Sequence, residues 1–372
     1  MPILGIQRIS SFNYDMKLKL QLMIFLFLGS LAIIACEIPV FRFALERWDA
    51  DLYKLKVFVS KSQEISSFTQ AKIDRIVSWS VKSGGNANLS VQIIEKENSE
   101  LEYELLYPHK SGIIRPVIKG ALSEFPEKLL IDSPSRSKIS SLILSGKSIV
   151  WVVIPGYNQQ EAEAFRNVLK TKVSKALDTV KLSEGIIKSE SSKKKKLSRE
   201  ELENALNSEI PLELSFDIVE IDRSNPKETV FLKMMLRQNP HLMDYKGPIA
   251  FPVFGRGRAL DGVVDLNGGD LEKLTLYLSG HCSCTVKEEN PGIDLLMNVP
   301  WADYVAESQI QFKDVLPPLS GLELKEEKQE AEQLGLENTV KKMSVFEYLF
   351  TVLAAVAALI VFFLFFSRAK SH

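Results

Sequence analysis

Residues 148–154 have the sequence Ser-Ile-Val-Trp-Val-Val-Ile, a run that carries no charge. A short apolar run rich in β-branched residues predicts a strand that is buried on both faces. The segment 159–180 follows, and its apolar residues recur at the spacing of an amphipathic helix. A buried strand followed by a helix that packs on it is the unit of an α/β fold, so we predict this fold class.

The chain continues this alternation beyond residue 200. The predicted order is strand, helix, strand, strand and helix, over 212–221, 225–236, 249–254, 263–266 and 270–279. The strand 263–266 is predicted to form a hairpin with 249–254. With 148–180 in front, this order resembles a thioredoxin-like fold, in which Pro252 lies where such proteins carry a cis-proline. The turn 155–158 is Pro-Gly-Tyr-Asn, so the Cys-x-x-Cys of that fold is absent and its redox chemistry does not carry over.

The first half of the chain predicts a second unit of the same class. Its elements are a helix at 38–48, a strand at 52–59, a helix at 65–81, strands at 89–95 and 101–107 with a turn at Asn98-Ser99, and a helix at 135–144.

We therefore predict two mixed-sheet, thioredoxin-like α/β units, 36–182 and 201–304. Between them lies a charged linker, 183–200, which contains four successive lysines, Lys193 to Lys196. A block of like charges is solvated rather than buried, and anionic lipid headgroups are an alternative partner for it.

The N-terminal end predicts a signal peptide over 1–35. Two lysines precede the apolar run 20–35, which is too short for an ordinary spanning helix, and Met16 is an alternative start to Met1. Cys36 follows Ile-Ile-Ala, a spacing that resembles the lipobox of bacterial lipoproteins, in which the cysteine is lipidated. Plain cleavage that leaves a thiol, and an uncleaved anchor, are the alternatives.

The C-terminal end predicts a transmembrane helix over 345–367, because 348–366 is apolar apart from one threonine. The basic tail 368–372 follows, and the positive-inside rule places it in the cytoplasm. Residues 305–344 are rich in Glu, Lys and Gln and predict a stalk. The expected location is the bacterial cytoplasmic (inner) membrane, with the ectodomain facing the periplasm or the exterior.

The composition argues against nucleic-acid binding and against a fold stabilised by disulfides. The formal net charge is −1, which gives no global field to attract nucleic acid. The chain has three cysteines, too few for a disulfide framework, so burial must stabilise the fold.

Two of those cysteines lie in His281-Cys282-Ser283-Cys284, the constellation with the most chemical potential. Cys282 and Cys284 could be a structural pair, or could close a small strained disulfide with redox activity. With His281 and further ligands they could instead hold Zn or Cu(I). The structural, redox and metal-binding hypotheses all stay open, so the sequence predicts no particular cofactor.

Arg256 and Arg258 lie in Gly-Arg-Gly-Arg directly after a predicted strand. A dinucleotide loop would need a third glycine and a following helix, and neither is present. The glycines predict a bend or bulge in a hairpin, and the two guanidiniums are candidates for binding a carboxylate or phosphate.

Three stretches together resemble a family of uncharacterised bacterial envelope proteins. They are IPVFRFALERW at 38–48, PVFGRGRAL at 252–260, and CSCTVK at 282–287 with NPG at 290–292. Members of the family carry a secretion signal, this ectodomain and a C-terminal membrane helix. The resemblance implies the architecture and no activity.

The leading functional expectation is a membrane-anchored, extracytoplasmic binding or assembly module with an envelope protein as partner. The alternative is a thiol-disulfide or metal-handling protein that uses Cys282 and Cys284, with unlipidated Cys36 as resolving partner. The pattern contains no recognised catalytic constellation, so enzyme activity is left open.

Overall fold

Two mixed β-sheets form the framework of the described chain. The structure, a computed structural model, describes residues 37–62, 65–97, 100–192 and 197–305. In these ranges no helix is long and apolar enough to span a membrane. The predictions that lie outside them concern the signal peptide, Cys36, the turn Asn98-Ser99, Lys193 to Lys196, the stalk beyond Val305, the transmembrane helix and the tail.

The first sheet has the strand order β2-β1-β3-β4. The elements of this half are α1 (Val40–Arg47), β1 (Tyr53–Ser60), α2 (Ser67–Ser78), β2 (Leu89–Lys96), β3 (Glu102–Leu106), β4 (Pro116–Ala121), α3 (Glu127–Ile131) and α4 (Pro134–Leu144), with 3₁₀ turns at Val81–Ser83, His109–Ser111 and Leu122–Glu124. Strand β1 is parallel to β2 and antiparallel to β3. The strands predicted at 89–95 and 101–107 are confirmed, but β1 lies between them, because α2 carries the chain across to a parallel neighbour.

The second sheet has the strand order β6-β5-β7-β8-β9. Its half contains β5 (Ile149–Ile154), α5 (Gln159–Leu177), α6 (Ser189–Ser192), α7 (Arg199–Glu203), β6 (Phe216–Glu220), α8 (Thr229–Leu236), α9 (Pro240–Met243), β7 (Ile249–Phe254), β8 (Arg258–Ala259), α10 (Asp270–Ser279), α11 (Cys284–Glu289), β9 (Ile293–Asp294) and α12 (Trp301–Tyr304), with a 3₁₀ turn at Pro226–Glu228. Strand β5 is parallel to β6 and antiparallel to β7.

The hairpin predicted between 249–254 and 263–266 is wrong. The antiparallel partner of β7 is β8, and Val263 makes only an isolated bridge to Ala250. The chain turns back directly after β7 because Gly255 and Gly257 both adopt positive φ, a conformation that glycine permits without steric cost. The described residues contain no cis peptide bond, so Pro252 does not reproduce the cis-proline of thioredoxin-like proteins.

Strand β5 is buried along its whole length, as its sequence predicts. Val150, Val152 and Ile154 face a core that also contains the inward side chains of the first sheet. Their neighbours Ile149, Trp151 and Val153 face a second core, formed with α1, α5 and α10. Alternating side chains of one strand therefore stabilise both cores, which explains why no position of the run is polar.

The sheets divide the chain at a different place from the predicted linker. Strand β5 and helix α5 precede 183–200 in sequence, yet β5 pairs with β6 and β7 of the second half. Part of the linker is packed as well, since the backbone N–H of Ile187 donates to Asn204 and its carbonyl accepts from Leu206.

Candidate functional site

The three motif stretches of the sequence meet in space and form what we call the junction, 38–51, 252–260 and 281–296. The backbone N–H of Val40 donates to the Gly280 carbonyl at 3.0 Å, and the N–H of Cys282 donates to the Ile38 carbonyl at 3.0 Å. Pro39 and His281 form an antiparallel bridge between the same segments. Stretches far apart in sequence thus form one structural unit.

Arg258 is buried at the centre of the junction and bonds two carboxylates. Its Nε donates to Asp294 Oδ1 at 3.1 Å and its Nη2 donates to Asp51 Oδ2 at 3.0 Å. Its Nη1 donates to the Asn290 carbonyl at 2.7 Å, and the guanidinium lies 5.5 Å from the centroid of the Trp48 ring. Burial raises the pKa of Asp294, and the charge of Arg258 opposes that rise.

Arg256 binds the C-terminal end of α1. Its Nε donates to the Leu45 carbonyl at 2.9 Å, its Nη2 to the Glu46 carbonyl at 3.4 Å, and its Nη1 to Asp49 Oδ1 at 2.9 Å. A cation at this position satisfies carbonyls that have no partner within the helix and complements the helix dipole.

The candidate anion site at Arg256 and Arg258 therefore already has protein ligands. The Nε, Nη1 and Nη2 atoms of both side chains each donate to a carboxylate or a carbonyl. A β-carbon at Gly255 would lie 2.8 Å from the Ala44 β-carbon, so the glycine lets the turn approach α1 closely. These contacts are those of the structural hairpin, and an external anion would have to displace them.

The thiol candidates are placed differently from one another. Cys282 is 1% exposed and belongs to the core beside α1, α5 and α10. Cys284 is the first residue of α11. The Nδ1 atom of His281 lies 3.1 Å from the Glu37 carbonyl oxygen. Among the described residues, no three His, Cys, Asp or Glu side chains are grouped to hold a metal ion.

The burial of Cys282 predicts slow chemical modification. We expect its thiol in the native full-length protein to react with iodoacetamide about 10-fold more slowly than in urea, because access requires local opening. Intact mass and peptide mapping with alkylation before reduction measure the rate, and Cys282→Ser identifies its share of the label. Equal rates in native and unfolded protein would contradict the buried placement.

A second group of chemically capable side chains lies nearer the surface, at the ends of strands: two of its members are exposed and the third is half-buried. We call Tyr157, Arg223 and Lys246 the tyrosine cluster. Tyr157 follows β5 and is 71% exposed. The Cζ atom of Arg223, after β6, lies 5.1 Å from the centroid of its ring, and the Nζ atom of Lys246, before β7, lies 5.5 Å from it.

Backbone contacts hold the loops of the tyrosine cluster together. The N–H of Tyr157 donates to the Lys246 carbonyl at 3.3 Å, and Arg223 Nε donates to the Pro155 carbonyl at 2.5 Å. A β-carbon at Gly156 would lie 3.0 Å from the Lys246 carbonyl oxygen, so glycine permits the close approach.

From the sequence, Tyr157 was identified only as part of a turn without thiols. Arg223 and Lys246 were not identified as candidate site residues. The signal that could have identified these residues is their position at the ends of predicted strands. Arg223 follows a strand that is parallel to β5, and Lys246 precedes one that is antiparallel to it, so all three residues come to the same edge of the sheet. In open α/β sheets ligands commonly bind at this edge, outside the carboxyl ends of the parallel strands.

The fold defines the class of protein as mixed α/β with two mixed sheets. Comparison of the sequence with protein-family models and with curated proteins found no match.

Proposed function

We propose that the protein is a membrane-anchored, extracytoplasmic binding module built from two thioredoxin-like units. The strand orders β2-β1-β3-β4 and β6-β5-β7-β8 support the fold proposal, because both follow one pattern. Counted along the chain, the first two strands of each sheet are parallel. The third strand is antiparallel to the first and to the fourth. The second unit also has a helix after each of its first two strands, α5 and α8.

The observation that carries the binding function is the exposed tyrosine at the position of the missing thiols. In a thioredoxin-like unit the loop after the first strand carries Cys-x-x-Cys, and here that loop, 155–158, is Pro-Gly-Tyr-Asn. A large exposed aromatic beside two cations suits recognition of a partner, because tyrosine supplies contact area at low entropic cost. The thiol or metal alternative would require the buried Cys282 to become accessible.

Anchoring and compartment rest on the sequence. The apolar segment 348–366 followed by a basic tail supports a single C-terminal span, and the N-terminal segment 1–35 supports export. Together they support a location of the two units outside the cytoplasm, in a bacterial envelope, and the partner we propose is another envelope protein.

Photo-crosslinking in intact cells tests this proposal. With p-benzoyl-phenylalanine in place of Tyr157 in the full-length chain, irradiation should give a discrete adduct that sediments with membranes. The matched control places the same amino acid at Phe68, which is 76% exposed on α2 of the first half. We expect the adduct from position 157 to be at least about 5-fold stronger, since contact area concentrates where recognition occurs.

Equal labelling from positions 157 and 68 would refute the tyrosine cluster as the binding surface. An adduct that fractionates with soluble proteins would refute the membrane anchor.

A further inference from the structure

We infer that the tyrosine cluster binds carboxylates, and that its ligand is an acidic peptide segment of the partner protein. This inference deepens the proposed binding function and rests on it. The cluster offers donors of Arg223 that have no acceptor, the charge of Lys246 and the exposed ring of Tyr157 beside both.

Arg223 presents two donors without partners. Its Nε is fixed by the Pro155 carbonyl, whereas no described residue accepts a hydrogen bond from Nη1 or Nη2. The Nη2 atom is also covered from solvent. A covered charged donor without an acceptor is unfavourable. A side-chain movement that uncovers Nη2 and lets one carboxylate accept from both Nη atoms would remove that cost.

The positive charge of the cluster is not neutralised within the described part of the chain. Neither Arg223 nor Lys246 forms an ion pair there. Asp222, the neighbour of Arg223 in sequence, accepts from the N–H and the hydroxyl of Ser224 at 2.8 and 2.6 Å, and these bonds lower the pKa of Asp222. Glu220, at the end of β6, pairs with Arg166 at 3.2 Å.

The arginines of the junction differ from Arg223, because all the nitrogens of their guanidinium groups are hydrogen-bonded. Arg256 and Arg258 have an acceptor for each of Nε, Nη1 and Nη2, and Arg223 has an acceptor for Nε alone. The start of α5 adds little, because the Asn158 side chain already accepts from the N–H groups of Gln160 and Glu161. The side chains of the cluster therefore carry the site.

A peptide fits this surface better than a free anion does. The Tyr157 ring is 71% exposed beside the two cations and offers apolar surface on which the stem of a glutamate side chain can pack. Two cations beside one ring match carboxylates two residues apart on one face of an extended chain, and Arg223 can hold one of them through a forked pair of hydrogen bonds.

The test is the binding of a fluorescein-labelled octaglutamate peptide to the purified full-length protein in detergent, followed by anisotropy at low ionic strength. We expect Arg223→Gln to weaken binding about 10-fold and Lys246→Gln about 3-fold, since charge-assisted bonds exceed simple charge attraction. Arg223→Lys keeps the charge but loses the fork, so it should fall between wild type and Arg223→Gln.

Lys170→Gln is the matched control. Lys170 is exposed on α5, 11 residues beyond its first residue Gln159, and therefore about 16 Å along the helix at ~1.5 Å per residue. Its replacement makes the same change in net charge and should leave the affinity unchanged. Equal loss in Lys170→Gln and Arg223→Gln, or no peptide binding by the wild type, would overturn the inference. Displacement of the peptide by equimolar inorganic phosphate would overturn its peptide part.

The crosslinking experiment separates the two proposals. If the adduct from position 157 persists at full strength in the Arg223→Gln background, the binding function stands and carboxylate recognition fails. If octaglutamate binds as expected but no adduct forms, the anion site stands and the partner function fails.

Discussion

Replacing Arg258 with glutamine is expected to lower the free energy of unfolding of the full-length protein by about 3–5 kcal/mol, the cost of breaking a buried ion pair by removing one partner. Asp294 is buried and would lose its counter-charge, and Asp51 would lose one of two cations, since Lys110 also pairs with it at 3.1 Å. Urea unfolding followed by tryptophan fluorescence measures the change.

Lys110→Gln is the control, because it removes a cation from the same Asp51. Lys110 is exposed, and its pair should contribute at most about 1 kcal/mol. A second variant, Arg258→Gln with Asp294→Asn, should recover part of the loss. Asparagine needs no counter-charge and its oxygen can still accept from the N–H of Asp51, which donates to Asp294 at 2.6 Å. If the losses of stability caused by Arg258→Gln and Asp294→Asn simply add in the double variant, the two side chains do not interact as an ion pair.

The same pair predicts a dependence on pH. Burial raises the pKa of Asp294 in the folded state, so the folded protein holds this proton more tightly than the unfolded chain. The contribution of Asp294 to stability is therefore greatest below its unfolded pKa and falls as the pH rises through the folded pKa. Without Arg258 the folded pKa rises further, so Arg258→Gln should lose more stability near pH 7 than near pH 5.

Replacing Arg136 with methionine is the second large expected loss of stability, again about 3–5 kcal/mol. Three carbonyls would lose their donor, two of them in the core. Its Nη1 donates to the carbonyls of Leu130 and Leu296 at 2.8 Å each, and its Nη2 donates to Leu129 at 2.6 Å. Burial lowers the pKa of Arg136 to about 10, which leaves it charged at neutral pH. Urea unfolding of the full-length protein measures this loss as well.

Arg136→Lys separates charge from geometry. An ammonium group keeps the charge but has no planar fork, so it should recover less than half of the loss caused by Arg136→Met. Arg237→Met is a peripheral control, since Arg237 Nη1 donates to the carbonyls of Pro116 and Val117 from a half-buried position and should cost about 1 kcal/mol. Equal effects at positions 136 and 237 would refute the special role of the buried guanidinium.

The sequence predicted the elements that carry a long, regular pattern. Strands β5 and β7 and helices α5 and α10 are found where periodicity indicated them, because each buries a continuous face. Strand β4 was missed, since Pro116, Lys119 and Gly120 leave it with a short apolar stretch. The pairing of β1 between β2 and β3 depends on contacts across the sheet, which no local pattern encodes.

The candidate sites also depend on contacts between distant residues, which a local sequence pattern does not encode. Arg256 and Arg258 were singled out from the sequence, but the acceptors of Arg256 and the Asp51 acceptor of Arg258 lie more than 200 residues away and could not be assigned from it. Arg223 and Lys246 look like ordinary surface cations in sequence. Only the folded sheet brings them to Tyr157, because their strands are neighbours of β5 on its two sides.

The junction also determines when the protein can finish folding. The N–H of Asp51 donates to Asp294, 243 residues later in the chain, which corresponds to roughly 10–50 s of ribosomal synthesis at ~5–20 residues per second. Helix α1 also packs against α10, so the buried side chains of Phe41 and Ala44 lack part of their final cover until residues 270–279 have been made. A nascent chain that stops before α10 leaves this face open to aggregation, so synthesis through α10 is a requirement for a soluble N-terminal half.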